Sequence, residues 1–270
     1  MHTPPPKAVL DAFSVHAVPV RLPGGEGRTF LAGDTVLKPV ANQVEAAWIA
    51  ETLRGLDGRG RFCVPRPIAA RSGGWIAESW VAWERVDGEH RSGQWPQVLA
   101  VGDALHEALS GIPEPSFLSA RQTPWAIGDR VAWGADPPTD VPRGFLDLLA
   151  RLASARRPLR ELPQVIHGDL CGNVLFADGQ PPAVIDFSPF FRPANYAKAI
   201  VAFDAVAWEG ADPELFEADG ETSDREQLLI RAAMFRVTAG GLLMRGDPRR
   251  AGDRGAAPYE RMVRLLTSSD

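Results

Sequence analysis

Cysteine is almost missing from this chain: Cys63 and Cys171 are the only two among 270 residues. Two thiols build no disulfide framework, and these two lack the paired spacing of a zinc site. The five histidines are scattered, so no imidazole metal cluster is expected. No apolar stretch approaches the roughly 20 residues of a membrane helix. The start, Met1-His2-Thr3-Pro4-Pro5-Pro6-Lys7, holds no apolar core of signal-peptide length. Cytosol is therefore the expected compartment. An excess of basic charge is missing too: 29 Lys and Arg stand against 34 Asp and Glu, a net charge of -5. That balance argues against nucleic acid as the main partner, because neutralising phosphates needs clustered cations. No internal repeat or low-complexity tract occurs. What remains, 45% hydrophobic and 23% charged, is an ordinary globule. Its length suits one large domain or two lobes.

The chemistry concentrates in His167-Gly168-Asp169-Leu170-Cys171-Gly172-Asn173, closed by Asp186-Phe187-Ser188. Val174-Leu175-Phe176 and Ala183-Val184-Ile185 are short apolar runs, and Ala177-Asp178-Gly179-Gln180 between them is turn chemistry. A hairpin of that size returns its ends to one place. Asn173 and Asp186 are therefore expected to face the same spot, with Asp169 on the loop leading in. Two hard oxygen donors beside a carboxylate suit a magnesium–phosphate site with a base next to it. The plain alternative is a surface hairpin flanked by ordinary polar residues.

This run resembles the catalytic loop and metal segment of the protein-kinase-like fold. His-Gly-Asp in place of His-Arg-Asp points to the aminoglycoside phosphotransferase family of small-molecule kinases. The resemblance implies an α+β, bilobal fold with a small β-rich lobe over residues 1–84 and a larger helical lobe over residues 85–270. It also implies Asp169 as the base that accepts the proton of a substrate hydroxyl, and Asn173 and Asp186 as ligands of magnesium on ATP. The chain departs from the protein-kinase pattern in one respect. Three residues rather than four separate Asp169 from Asn173, and Gly172 is suited to absorb an unusual backbone turn there.

Other parts follow in the order that the resemblance requires. Pro23-Gly24-Gly25-Glu26-Gly27 reads as a tight turn between two strands. Gly24, Gly25 and Gly27 let backbone N–H groups approach phosphates, although a plain hairpin turn reads the same way. Thr35 to Val40 is extended, and the resemblance gives its Lys38 to the α- and β-phosphates. Val44 to Leu56 reads as a helix with two glutamates. With Glu45 at 0°, Ile49 falls at about 40°, Leu53 at about 80° and Leu56 at about 20°. Glu51 falls at about 240°, on the solvent side. Glu45 is therefore expected to pair with Lys38, the alternative being a solvated position at the rim of the apolar face. Trp75 to Trp83 reads as one strand, followed by a polar hinge. The resemblance places adenine contacts at Glu84 to Val86.

The rest reads mostly helical: Pro96 to Leu109 with His106 packed inside it, Gly144 to Leu152, Tyr196 to Trp208, Arg225 to Met244 and Tyr259 to Leu266. Phe190-Phe191-Arg192-Pro193 is either a packed aromatic corner or one wall of an acceptor pocket. Eight carboxylates crowd Glu209 to Glu226. They form a solvated loop, or they attract a cationic substrate such as an amino sugar. The expected function is ATP-dependent phosphorylation of a small-molecule hydroxyl. Its alternative is a nucleotide-sensing or scaffolding module with little catalysis, suggested by the shortened loop and the missing Gly-x-Gly-x-x-Gly. A small-molecule acceptor is the expected partner, with no role for nucleic acid or membrane.

Overall fold

The computed structural model describes residues 3–23, 27–217, 224–246 and 256–267. In chain order the first elements are α1 (Lys7–Ala12), β1 (Val20–Arg21), β2 (Phe30–Ala32), β3 (Thr35–Pro39), α2 (Gln43–Gly55), β4 (Pro67–Ile68), β5 (Ile76–Ala77) and β6 (Trp80–Glu84). Then come α3 (Trp95–Leu109), α4 (Pro124–Trp133), α5 (Arg143–Ala155), β7 (Gln164–His167), β8 (Val174–Leu175) and β9 (Ala183–Val184). The chain ends with β10 (Pro189–Arg192), α6 (Ala194–Trp208), α7 (Arg225–Gly246) and α8 (Ala257–Thr267). Contacts divide it into two units: Met1–His90 with Asn173–Phe187, and Arg91–Gly172 with Ser188–Asp270.

In the first unit an antiparallel sheet runs β1-β2-β3-β6-β4, with β5 also paired to β6. Side chains alternate across a strand, so Leu37 is fully buried while Lys38, next to it, takes the other face. Phe30, Ala32, Leu37, Trp80 and Ala82 form the core with Val9 and Phe13. Helix α2 starts where Asn42 Oδ1 accepts from the N–H groups of Val44 and Glu45, at 3.1 and 3.2 Å, satisfying donors that a helix start leaves open. It ends where Arg66 Nη1 donates to the carbonyls of Leu53, Arg54 and Leu56.

The single strand expected over Trp75–Trp83 is two strands. Glu78 and Ser79 turn between them with φ of 48° and 61°, the paired left-handed conformation of a tight hairpin. Glu-Ser is not the Asn-Gly that announces such a turn. The chain's division also differs from one cut between residues 84 and 85. The β8–β9 hairpin belongs with the N-terminal residues, because Cys63 N–H donates to Pro182 O and Val184 N–H to Cys63 O, both at 2.9 Å. Glu89 and Phe176 exchange two further backbone bonds.

The second unit is helical around α7, which packs against α4, α5, α6 and α8. Residues Arg225–Arg245 are long and apolar enough to cross a membrane, contrary to the expectation of no such stretch, yet 78% of an 18-residue window within it is buried inside the fold. A core helix accounts for it. β7 pairs with β10, setting His167 opposite Pro189 and Ile166 opposite Phe190. Phe190-Phe191-Arg192 thus lies in strand β10.

Candidate active site

In the first unit, the hairpin ends meet as expected. Val174 pairs with Val184, and Ile185 N–H donates to Asn173 O at 3.0 Å. Asp186 then takes φ of 52°, a left-handed turn rarely adopted by a side-chain-bearing residue. Phe187 anchors it by stacking on Trp48, with ring centroids 6.5 Å apart. The Asp186 carboxylate is ion-paired to the Lys38 ammonium, both side chains about a third exposed. Burial lowers the Lys38 pKa to about 8, a shift that a neighbouring carboxylate opposes.

Glu45 is half-buried on α2. The buried positions of α2 are Ala46, Ala50 and Leu53, which centre that face about 100° from Glu45. Counting only large aliphatic residues missed the alanines. Lys38 is ion-paired to Asp186. Glu51 is exposed and bonded to Arg54 and Trp75. Gly27 has φ of 67°, and the strands flanking it are tied by Leu22 N–H donating to Thr29 O. Gly24 and Gly25 lie outside the described residues. The N–H of Glu84 donates to Arg66 O at 2.8 Å and that of Arg85 to Asp34 O at 2.9 Å. Val86, half-buried, follows them.

In the second unit, two buried histidines hold the loop of Asp169. Asp169 N–H donates to His167 Nδ1, and His167 N–H donates to His106 Nε2, each at 3.1 Å. His106 can accept because it is neutral. Burial, with lesser effects of His167 and Lys198, lowers its pKa to about 3. Gly168 is required by close approach. A Cβ there would lie 2.3 Å from the Phe190 ring. Gly172 has φ of 81°, the turn expected of it in the shortened loop. Cys171 donates to Glu209 Oε1 at 3.2 Å, and Trp95 Nε1 donates to Glu209 Oε2 at 2.7 Å. Burial pushes the Cys171 pKa far up, so it stays a thiol.

Two residues escaped the sequence reading. Arg236 on α7 donates from Nη2 to Asp169 Oδ1 at 2.7 Å and from Nε to Asp204 Oδ1 at 2.8 Å, and its Nη2 also reaches Asp204 Oδ2. Asp204 comes from α6. Both are 8% exposed, whereas the Asp169 side chain is 43% exposed. Burial raises the Asp204 pKa against the pull of Arg236. The available signal was an arginine inside the apolar run Ala232-Ala233-Met234-Phe235-Arg236-Val237, since a buried charge requires a partner. Of the eight carboxylates, Asp219 and Glu221 lie outside the described residues. Glu209 is engaged as above, and Glu217 pairs with Arg225.

The donor set tests magnesium directly. Asp186 and Asn173 supply hard oxygens, and the Lys38 ammonium beside Asp186 shows that this carboxylate holds a cation. Among the described residues no three His, Cys, Asp or Glu side chains gather as a metal cage. Magnesium is commonly held by one or two side chains plus phosphate oxygens and water. The residues fit that mode.

The family model described as the phosphotransferase enzyme family matches residues 21–190. No curated protein matches the chain by sequence. Among solved structures, the choline kinase LicA from Streptococcus pneumoniae superposes with a TM-score of 0.66 at 13% identity, covering 96% of each chain. A thermostable mutant of an aminoglycoside phosphotransferase, APH(4)-Ia, gives 0.63 at 18% identity, over 97% of this chain and 99% of the other. A choline/ethanolamine kinase family protein from Mesorhizobium loti gives 0.59 at 18% identity, over 93% and 88%. At such identities the likeness speaks for the fold, an α+β kinase-like one.

Proposed function

The chain belongs to the phosphotransferase enzyme family. On that premise, we propose that it transfers the γ-phosphoryl group of magnesium-ATP to a hydroxyl of a small molecule in the cytosol. The observation that carries the reading is the Lys38–Asp186 pair beside Asn173. It sets an ammonium suited to phosphates against a carboxylate suited to magnesium. Bound there by Asn173 and Asp186, magnesium would neutralise charge on the phosphates. Lys38 would then turn from Asp186 to the α- and β-phosphates, with Gly27 and its neighbours at the phosphate-binding turn and Val86 at adenine. Asp169 accepts the acceptor's hydroxyl proton. The hydroxyl oxygen bonds to the γ-phosphorus as the bond to the β–γ bridging oxygen breaks, and ADP leaves with that electron pair.

For the acceptor we propose a hydroxylated amine or amino sugar. Solved relatives of the same fold include choline kinase and an aminoglycoside phosphotransferase crystallised with hygromycin B. Described carboxylates at Asp212 and Glu214 would raise the local concentration of a cation.

The test uses two variants. Asp169→Asn should lower turnover by about 10²–10⁴-fold, the usual worth of a general base, with nucleotide binding kept. Asp186→Ala should abolish the magnesium-dependent thermal stabilisation by ATP, about 2.7 kcal/mol at 100 times the dissociation constant. Wild-type rates in both variants would overturn the role assignments. Nucleotide binding by the wild type without transfer to any acceptor in a broad alcohol panel would make it a sensing module instead.

A further inference from the structure

Most of what surrounds Asp169 explains how its backbone is held, through His167 and His106. The carboxylate itself is held by something else. Arg236 and Asp204 would form a complete buried pair by themselves, since two guanidinium nitrogens already meet two carboxylate oxygens. Yet Nη2 also reaches Asp169 Oδ1, a side chain in another element and far more exposed than either member of the pair. The guanidinium has little freedom to do otherwise. It lies over the Trp125 ring at 5.2 Å and the Phe235 ring at 4.8 Å, and it is anchored by α6 and carried on α7, the central helix of its unit. A planar fork fixed in this way presents a donor in a set direction, which a flexible ammonium cannot do.

We propose that Arg236, anchored by Asp204, is a positioning residue that orients the Asp169 carboxylate for proton abstraction. This rests on the reading of Asp169 as the base. The Asp169–Arg236–Asp204 chain is a rigid strut, with its outer end at the reacting proton and its inner end in the helical core. It acts through Asp169. The arginine also places a positive charge 2.7 Å from the carboxylate.

The experiment compares wild type with Asp169→Asn, Arg236→Lys and the double variant Arg236→Met/Asp204→Leu. The double variant removes both charges together, so no buried charge is left alone to unfold the protein. ADP release from magnesium-ATP is followed with water, choline and hygromycin B as acceptors. Crystal structures of wild type and double variant are solved in parallel. The double variant should keep the KM for magnesium-ATP and lose about 10–100-fold in kcat, a range below the full loss of a general base. Arg236→Lys should restore only part of the rate. In the double variant's crystal structure the Asp169 carboxylate should change rotamer or split between two. A folded double variant with kcat within about twofold of wild type would overturn the proposal, because positioning a base is worth at least part of general-base catalysis. So would an unmoved Asp169 carboxylate, whether or not any of the acceptors is used. Failure of the underlying reading looks different: Asp169→Asn itself would then turn over like wild type.

Discussion

Gly168→Ala tests the packing beneath the catalytic loop with one methyl group. The added Cβ would lie 2.3 Å from Phe190 Cδ2, 2.6 Å from Cε2 and 3.3 Å from Cγ. Carbon atoms rest at about 3.5–4.0 Å, so ring or loop must give by more than about 1 Å. The ring has nowhere easy to go. Phe190 is 6% exposed, it meets the Phe235 ring at 5.7 Å and the Arg121 guanidinium at 4.6 Å, and its backbone is paired to Ile166. Overpacking of this kind costs about 1–3 kcal/mol. Reduced freedom of the unfolded chain returns about 0.4–1 kcal/mol, so a net loss of up to about 2.6 kcal/mol is expected in urea unfolding. If the loop moves instead of the ring, it carries Asp169 with it, and a shift of about 1 Å can cost 10²-fold in rate. The double variant Gly168→Ala/Phe190→Leu should recover most of both losses. A single variant as stable and as active as wild type would refute the steric account.

Gly172→Ala is the complementary case. A Cβ there meets nothing within 4 Å, but φ is 81°, so the cost, about 1–2 kcal/mol, is purely conformational. Gly172→Asn should be milder in the same unfolding assay. His106 should make stability depend on pH. Its pKa is about 3 in the fold against an ordinary value of 6.5, so the unfolded chain binds the extra proton. This contribution is intact above pH 6.5 and is lost as pH falls toward 3, at up to about 1.4 kcal/mol per pH unit. His106→Leu should flatten urea midpoints between pH 4 and 7 relative to wild type, and parallel curves would contradict the assignment. Asn42→Ala removes the acceptor shared by Val44 and Glu45 N–H. It should lower stability by about 1 kcal/mol, seen as a lower midpoint on thermal melting.

Local signals were legible where chemistry and covalent geometry coincide. The run from His167 to Asn173 and the hairpin to Asp186 could be read directly, because apolar runs of that length around Asp178-Gly179 close on themselves. The Glu78–Ser79 turn was hidden, because neither residue prefers the left-handed region that both adopt. On α2, Ala46 and Ala50 are buried along with Leu53, although small side chains contribute little to a count of large apolar residues. The backbone donor at Glu84 was spoken for by a carbonyl, Arg66 O, that no linear pattern points to.

By itself, the sequence determined the chemistry on offer: a carboxylate, a carboxamide and a second carboxylate at hairpin spacing, an upstream lysine, and helices whose periodicity needs only neighbouring residues. Tertiary structure alone decided which charges meet. Lys38 came to Asp186 across 148 positions, and Arg236 came to Asp204 and Asp169 from separate helices and a loop. The physical reason is that ion pairing depends on distance through space and on burial. A chain written in one dimension carries neither until its apolar faces have packed.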